Sequence, residues 1–81
     1  MAITGASAGE VIQRAYGAAP PQVRLGVNGA RGTVGWLVNG MLVGRAAAGR
    51  GWTVQFPQPG DYAITAFDES GRYDRVTVEV R

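Results

Sequence analysis

The chain has 81 residues, a formal net charge of +2 and no cysteine, histidine or lysine, all eight basic residues being arginine. These absences exclude disulfide staples, Ser-His-Asp and Cys-His nucleophilic arrangements, zinc sites built on His or Cys, and any phosphate loop or nucleophile that requires lysine. A chain this short buries roughly 60–65% of the surface its unfolded form exposes, enough for one domain with one small core.

In chain order, Ile3 opens a strand-like start, and Ala6 to Ala19 is the one helix-compatible stretch. Gly9 and Gly17 interrupt that stretch and no i, i+3, i+4 stripe runs through it, so it is read as a short strand over Glu10–Arg14 and a loop closed by Pro20-Pro21. The first twenty residues carry the weakest pattern and are expected to be partly disordered. Val23, Leu25 and Val27 then alternate with Arg24, Gly26 and Asn28, which predicts a half-buried strand.

After Gly29-Ala30-Arg31-Gly32, the run Val34, Trp36 and Val38 shares a face and meets Asn39-Gly40. That dipeptide predicts a two-residue type I′ hairpin, because both central residues need positive φ. The turn would pair Val38 with Met41, Leu37 with Leu42 and Trp36 with Val43. Trp36, Val38, Met41 and Val43 would then form one apolar face. Gly44 to Gly51 is glycine-rich and is expected to be a mobile loop. Trp52, Val54 and Phe56 resume the alternation, and Pro57-Gln58-Pro59-Gly60 turns the chain.

The last hairpin is fixed by register. A three-residue loop, Glu69-Ser70-Gly71 with Gly71 left-handed, pairs Ile64 with Val76 and Tyr62 with Val78, so both apolar sets share a face; a slip of one residue would flip every side chain. The expected fold is an all-β, antiparallel, immunoglobulin-like sandwich of about six or seven short strands. The alternative is a five-stranded oligonucleotide-binding barrel.

Chemistry-bearing residues are few. Asp61, Asp68, Glu69 and Asp74 fall at turns or outward positions, where carboxylates accept hydrogen bonds from turn backbone. Calcium needs six to eight clustered oxygens, which no loop supplies, so no metal, no cofactor and no catalytic residue is expected. Trp36 is in phase with aliphatic neighbours and is assigned to the core, as is Trp52 with a weaker case because it starts a strand beside a loop. Tyr16 and Tyr73 are expected to be exposed. Charge divides along the chain. Arg14, Arg24, Arg31, Arg45 and Arg50 against Glu10 net +4 in residues 1–50, whereas Asp61, Asp68, Glu69, Asp74 and Glu79 against Arg72, Arg75 and Arg81 net −2 in residues 51–81. Arg31, Arg45 and Arg50 flank glycine-rich loops, and with Trp52 they are the candidate partner-binding residues. An acidic second half and the lack of an RNP-like aromatic pair weigh against nucleic acid. No apolar run approaches the ~20 residues that span a membrane, and no signal peptide opens the chain.

Two blocks stand out together. The first is Trp36-Leu37-Val38-Asn39-Gly40 followed by Gly44. The second is Pro57-Gln58-Pro59-Gly60-Asp61-Tyr62, then Ile64, Asp68, Gly71-Arg72 and Val76-Thr77-Val78-Glu79-Val80. Over Val23 to Arg81 they resemble the small C-terminal module of bifunctional penicillin-binding proteins of the C type, where a Trp-x-x-Asn/Asp-Gly hairpin is followed by Pro-x-Pro-Gly-x-aromatic and Asp-x-x-Gly-Arg. The opening Ile3-Thr4-Gly5 matches that family only loosely. The resemblance implies a module of a longer, membrane-anchored, periplasm-facing enzyme that polymerises and crosslinks peptidoglycan, its export signal lying elsewhere. It implies a non-catalytic accessory role, since none of the family's transpeptidase motifs is present. Partners so implied are other domains of the parent protein, a periplasmic protein such as a bacterial alpha-macroglobulin, or peptidoglycan itself. A carbohydrate-binding module and a small nucleic-acid-binding barrel are the alternative functions.

Overall fold

The structure, a computed structural model, describes residues 1–13 and 20–81. Its strands in chain order are β1 (Ala2–Thr4), β2 (Val11–Ile12), β3 (Gln22–Asn28), β4 (Thr33–Val38), β5 (Met41–Ala47), β6 (Trp52–Gln55), β7 (Gly60–Phe67) and β8 (Tyr73–Val80). They form a three-stranded sheet, β1-β3-β6, and a five-stranded sheet, β2-β8-β7-β4-β5. The fold is the small all-β sandwich that the alternation predicts, with eight strands in place of six or seven.

The pairings are antiparallel except one: β2 runs parallel to β8, with Val11 opposite Glu79 and Ile12 opposite Val80. A strand of two residues has no periodicity to read. Backbone bonds hold it instead, from Glu79 N–H to Glu10 C=O at 2.9 Å and from Arg81 N–H to Ile12 C=O at 2.9 Å. The strand expected over Glu10–Arg14 therefore shortens to Val11–Ile12, and Arg14 and Tyr16 lie outside the described residues.

Side chains from both sheets fill the core. Ile3, Leu25 and Val54 come from the three-stranded sheet; Val34, Trp36, Ile64, Ala66, Val76, Val78 and Val80 come from the other. Each sits in the phase the alternation assigns it, because a strand projects successive side chains to opposite faces. Trp36 is 1% exposed and is core. Phe56, just past β6, meets Tyr62 of β7 edge-on with ring centroids 4.8 Å apart. The Tyr62 hydroxyl donates to the Gln58 carbonyl at 2.6 Å, locking the Pro57–Gly60 turn in the manner of a sandwich's tyrosine corner.

The C-terminal hairpin has the predicted register, Ile64 opposite Val76 and Tyr62 opposite Val78, with Gly71 left-handed at φ 87°. The first hairpin departs from expectation in one place. Asn39 and Gly40 have φ of 52° and 83°, and Val38–Met41 and Leu37–Leu42 pair as expected. Trp36, however, lies opposite Gly44 and not Val43, because the register shifts between Trp36 and Leu37. Val43 is the extra residue of a β-bulge. The expected apolar face consequently breaks: Met41, Leu42 and Val43 are 73%, 50% and 46% exposed. Three strands cannot cover five, and the hairpin end of β5 projects past its cover.

Gly44 to Ala47 also continue β5, with Ala46 opposite Val34 and Ala47 opposite Thr33. The expected mobile loop shrinks to the turn that follows Ala47, where Arg50 N–H donates to Ala47 C=O at 2.9 Å.

Candidate functional site

Strands β5 and β6 are each at an edge, β5 of the five-stranded sheet and β6 of the three-stranded one. Trp52, the first residue of β6, bridges the gap between them. Its benzo ring covers the Cα of Gly44, and a Cβ at 44 would fall well inside contact with Cη2 and Cζ2. The bulge at Val43 is what brings the residue without a Cβ to that spot. In the unbulged register Val43 would face inward opposite Trp36 and hold the space the Trp52 indole takes.

Trp52 is half-buried and walls two grooves. On one side lies a basic groove of about 780 Å³, lined by Arg24, Arg45, Arg50, Thr33, Trp52 and Thr53 among others. Arg24 reaches it from β3, donating through Nη1 to Thr53 Oγ1 at 3.3 Å and through Nη2 to the Arg50 carbonyl. Gly51, at φ 74°, lets the chain pass: a Cβ there would stand 2.5 Å from the Leu25 carbonyl oxygen. Among the described residues the one ion pair is Arg81–Glu79, at 2.7 Å and exposed. Arg24, Arg45 and Arg50 therefore meet no carboxylate within ion-pair distance, and the undescribed 14–19 contain none.

On the other side of Trp52 lies an apolar groove of about 340 Å³, bounded by Met41, Leu42 and Val43 of β5, Val54 of β6, Pro57 and Tyr62. The two grooves thus form one surface along β5, apolar at the hairpin end and cationic toward Arg45 and Arg50.

Asp68, Glu69 and Asp74 bond to backbone amides. Asp68, 5% exposed, accepts from Ser70 Oγ at 2.7 Å and from the backbone N–H groups of Ser70, Arg72 and Arg31 at 2.9, 3.0 and 3.0 Å. The Ser70 hydroxyl above all, with those amides, outweighs desolvation and holds its pKa at about 2. Glu69 Oε2 accepts from Thr33 N–H at 2.8 Å. Asp74 Oδ2 accepts from Ile3 N–H at 2.8 Å, tying β1 to β8 across the sandwich.

Of the four candidate residues, the structure brings Arg45, Arg50 and Trp52 onto one groove. Arg31 is exposed elsewhere, its backbone N–H pinned to Asp68. The sequence reading missed Arg24, whose presence follows from the β3–β6 register that sets it opposite Thr53. It also missed Met41, Leu42 and Val43, since the unbulged hairpin hides two of them in the core. Tyr73 is exposed as expected.

The family model of the Penicillin-Binding Protein C-terminus Family matches residues 1–80. The chain belongs to that family. No curated protein and no solved structure matches it. The match takes in β1 and β2 as well as the blocks from Val23 to Val80, so this penicillin-binding protein C-terminal module includes the opening strands that the motifs alone leave out. Membership points to an extracytoplasmic parent and fits an accessory role. No helix among the described residues is long and apolar enough to cross a membrane.

Proposed function

We propose that this penicillin-binding protein C-terminal module is non-catalytic and docks a protein through the surface along β5 and Trp52. The docked protein is another domain of the parent peptidoglycan synthase or a periplasmic partner. The observation that carries this reading is the exposure of Met41, Leu42 and Val43, three consecutive large apolar residues bordering a groove. Contiguous exposed apolar surface rimmed by polar residues marks interaction sites.

Two observations support the non-catalytic part. General acid–base work needs a carboxyl with a raised pKa in an apolar cleft, whereas the displaced carboxylate here, Asp68, is shifted down by four hydrogen bonds. Asp68, Glu69 and Asp74 are all engaged by backbone. The carbohydrate reading needs an indole face free for a sugar ring; Trp36 is buried, so that reading would rest on Trp52 alone, which is half-buried with its benzo ring against Gly44.

The test is an amide-shift titration of the labelled module in two arms. One arm receives the remaining extracytoplasmic domains of the parent protein, the other soluble peptidoglycan fragments, each at low and moderate salt. Docking predicts saturable shifts at 41–52 in the protein arm. Saturable, salt-resistant shifts with the glycan fragments alone would replace it with a wall-binding module.

A further inference from the structure

Resting on the docking reading, we infer that the partner engages this module as an extended, acid-bearing peptide strand that adds to the free edge of β5. Three features of that edge lead there.

The first is the backbone. Ala48 N–H donates to Gly32 C=O at 2.9 Å, which makes 32–48 a hydrogen-bonded pair. In an antiparallel ladder such pairs alternate with open ones, so Ala46 bonds to Val34 while Arg45 and Ala47, opposite Gly35 and Thr33, turn their N–H and C=O groups off the sheet; the Arg50 N–H takes the Ala47 C=O, which leaves Arg45 N–H, Arg45 C=O and Ala47 N–H to a new strand. Those groups are the template for strand addition.

The second is the sequence of chemistry along the edge. Met41, Leu42 and Val43 are exposed at one end, and Arg45 and Arg50 line the groove at the other without a carboxylate within ion-pair distance. Glu69 and Asp68, which line a shallow groove together with Arg45, are bonded to the Thr33 and Arg31 amides. A strand lying on β5 meets apolar surface first and unpaired guanidinium groups next. Its complement has apolar side chains at one end and Asp or Glu at the other.

The third is what the edge rejects. A second copy pairing β5 to β5 about a two-fold axis would set Arg45 near Arg45 and bring up both Arg50 side chains, and the Val43 bulge interrupts the register such a pair needs. Like charges placed so repel, and bulges with edge charges are how sheets avoid self-pairing. The same features accept an acidic strand.

Random dodecapeptides displayed on phage and selected against the intact module test this directly. The survivors are synthesised and titrated into the labelled protein. Enriched sequences should alternate apolar residues and carry Asp or Glu at one end. Their amide shifts should centre on Met41–Ala47 with slowed exchange at Arg45 and Ala47. Arg45→Glu/Arg50→Glu, both at exposed positions, should weaken binding about tenfold or more and turn the selection toward Lys and Arg. No enrichment, enrichment without acidic bias, shifts outside Met41–Ala47, or affinity indifferent to the double substitution overturns the inference. If parent domains shift 41–52 while no peptide does, edge pairing fails and docking stands. If glycan fragments alone bind, both fail.

Discussion

The Trp52 indole rests on the Cα of Gly44, a residue directly opposite Trp36 on the neighbouring strand. One glycine thus accommodates an aromatic ring from the facing sheet and closes the sandwich where its two edge strands approach. Gly44→Ala should displace that ring. The expected outcome is a loss of about 1–3 kcal/mol, as for other overpacking substitutions, with a red-shifted Trp emission and greater quenching by acrylamide. Trp36, buried in both proteins, supplies the constant background. Unchanged stability and quenching would mean the ring does not lie there.

Trp36→Ala removes the largest fully buried side chain of the molecule. A loss of about 3–5 kcal/mol is expected, against a total on the order of 5–10 kcal/mol for a domain of this size. Thermal unfolding should show a midpoint lowered by roughly 12–40 °C. A variant that keeps the wild-type midpoint would remove Trp36 from the core.

Asn39 does two jobs in the β4–β5 turn. It holds φ at 52°, and its Oδ1 accepts from Ala63 N–H of β7 at 2.8 Å. Asn39→Ala loses both and should destabilise by about 1–2 kcal/mol. Asn39→Gly keeps the backbone freedom and loses only the hydrogen bond, so denaturant midpoints should fall in the order wild type, Gly, Ala. Equal values for the two variants would show that φ is not what selects asparagine.

Asp68 makes stability depend on acid. Its folded pKa, about 2, lies well below the ordinary aspartate value, so the unfolded chain binds the proton more tightly. Its contribution is therefore complete above pH 4 and fades as the pH falls from 4 toward 2. Asp68→Asn should lower the Tm at neutral pH and show a shallower decline across that window than the wild type. Parallel curves would mean Asp68 is not the group responsible.

Much of the sandwich was legible because its cues are local. Asn39-Gly40 carries its own turn chemistry, and Gly71 agrees in phase with Ile64 and Val76. The misses required information from far along the chain. Nothing near Val43 announces a bulge; the reason for it is Trp52, which arrives from the other sheet. The glycine that made 44–51 look like a loop is the one the strand needs to receive that ring. Asp68 reads as a surface turn residue, yet it is buried because Arg31, thirty-seven positions away, bonds to it. At the site, Arg45, Arg50 and Trp52 were found together by proximity in sequence, while Arg24 joins them only through the β3–β6 register.

The most direct test of docking along β5 is the affinity of Met41→Glu/Leu42→Glu for the parent's remaining extracytoplasmic domains, read by amide shifts. Both side chains are exposed, so the double variant should keep its fold, within about 1 kcal/mol of wild type, and lose the saturable shifts. Undiminished binding by the folded variant would contradict docking at this surface, and unfolding of the variant would return Met41 and Leu42 to the core.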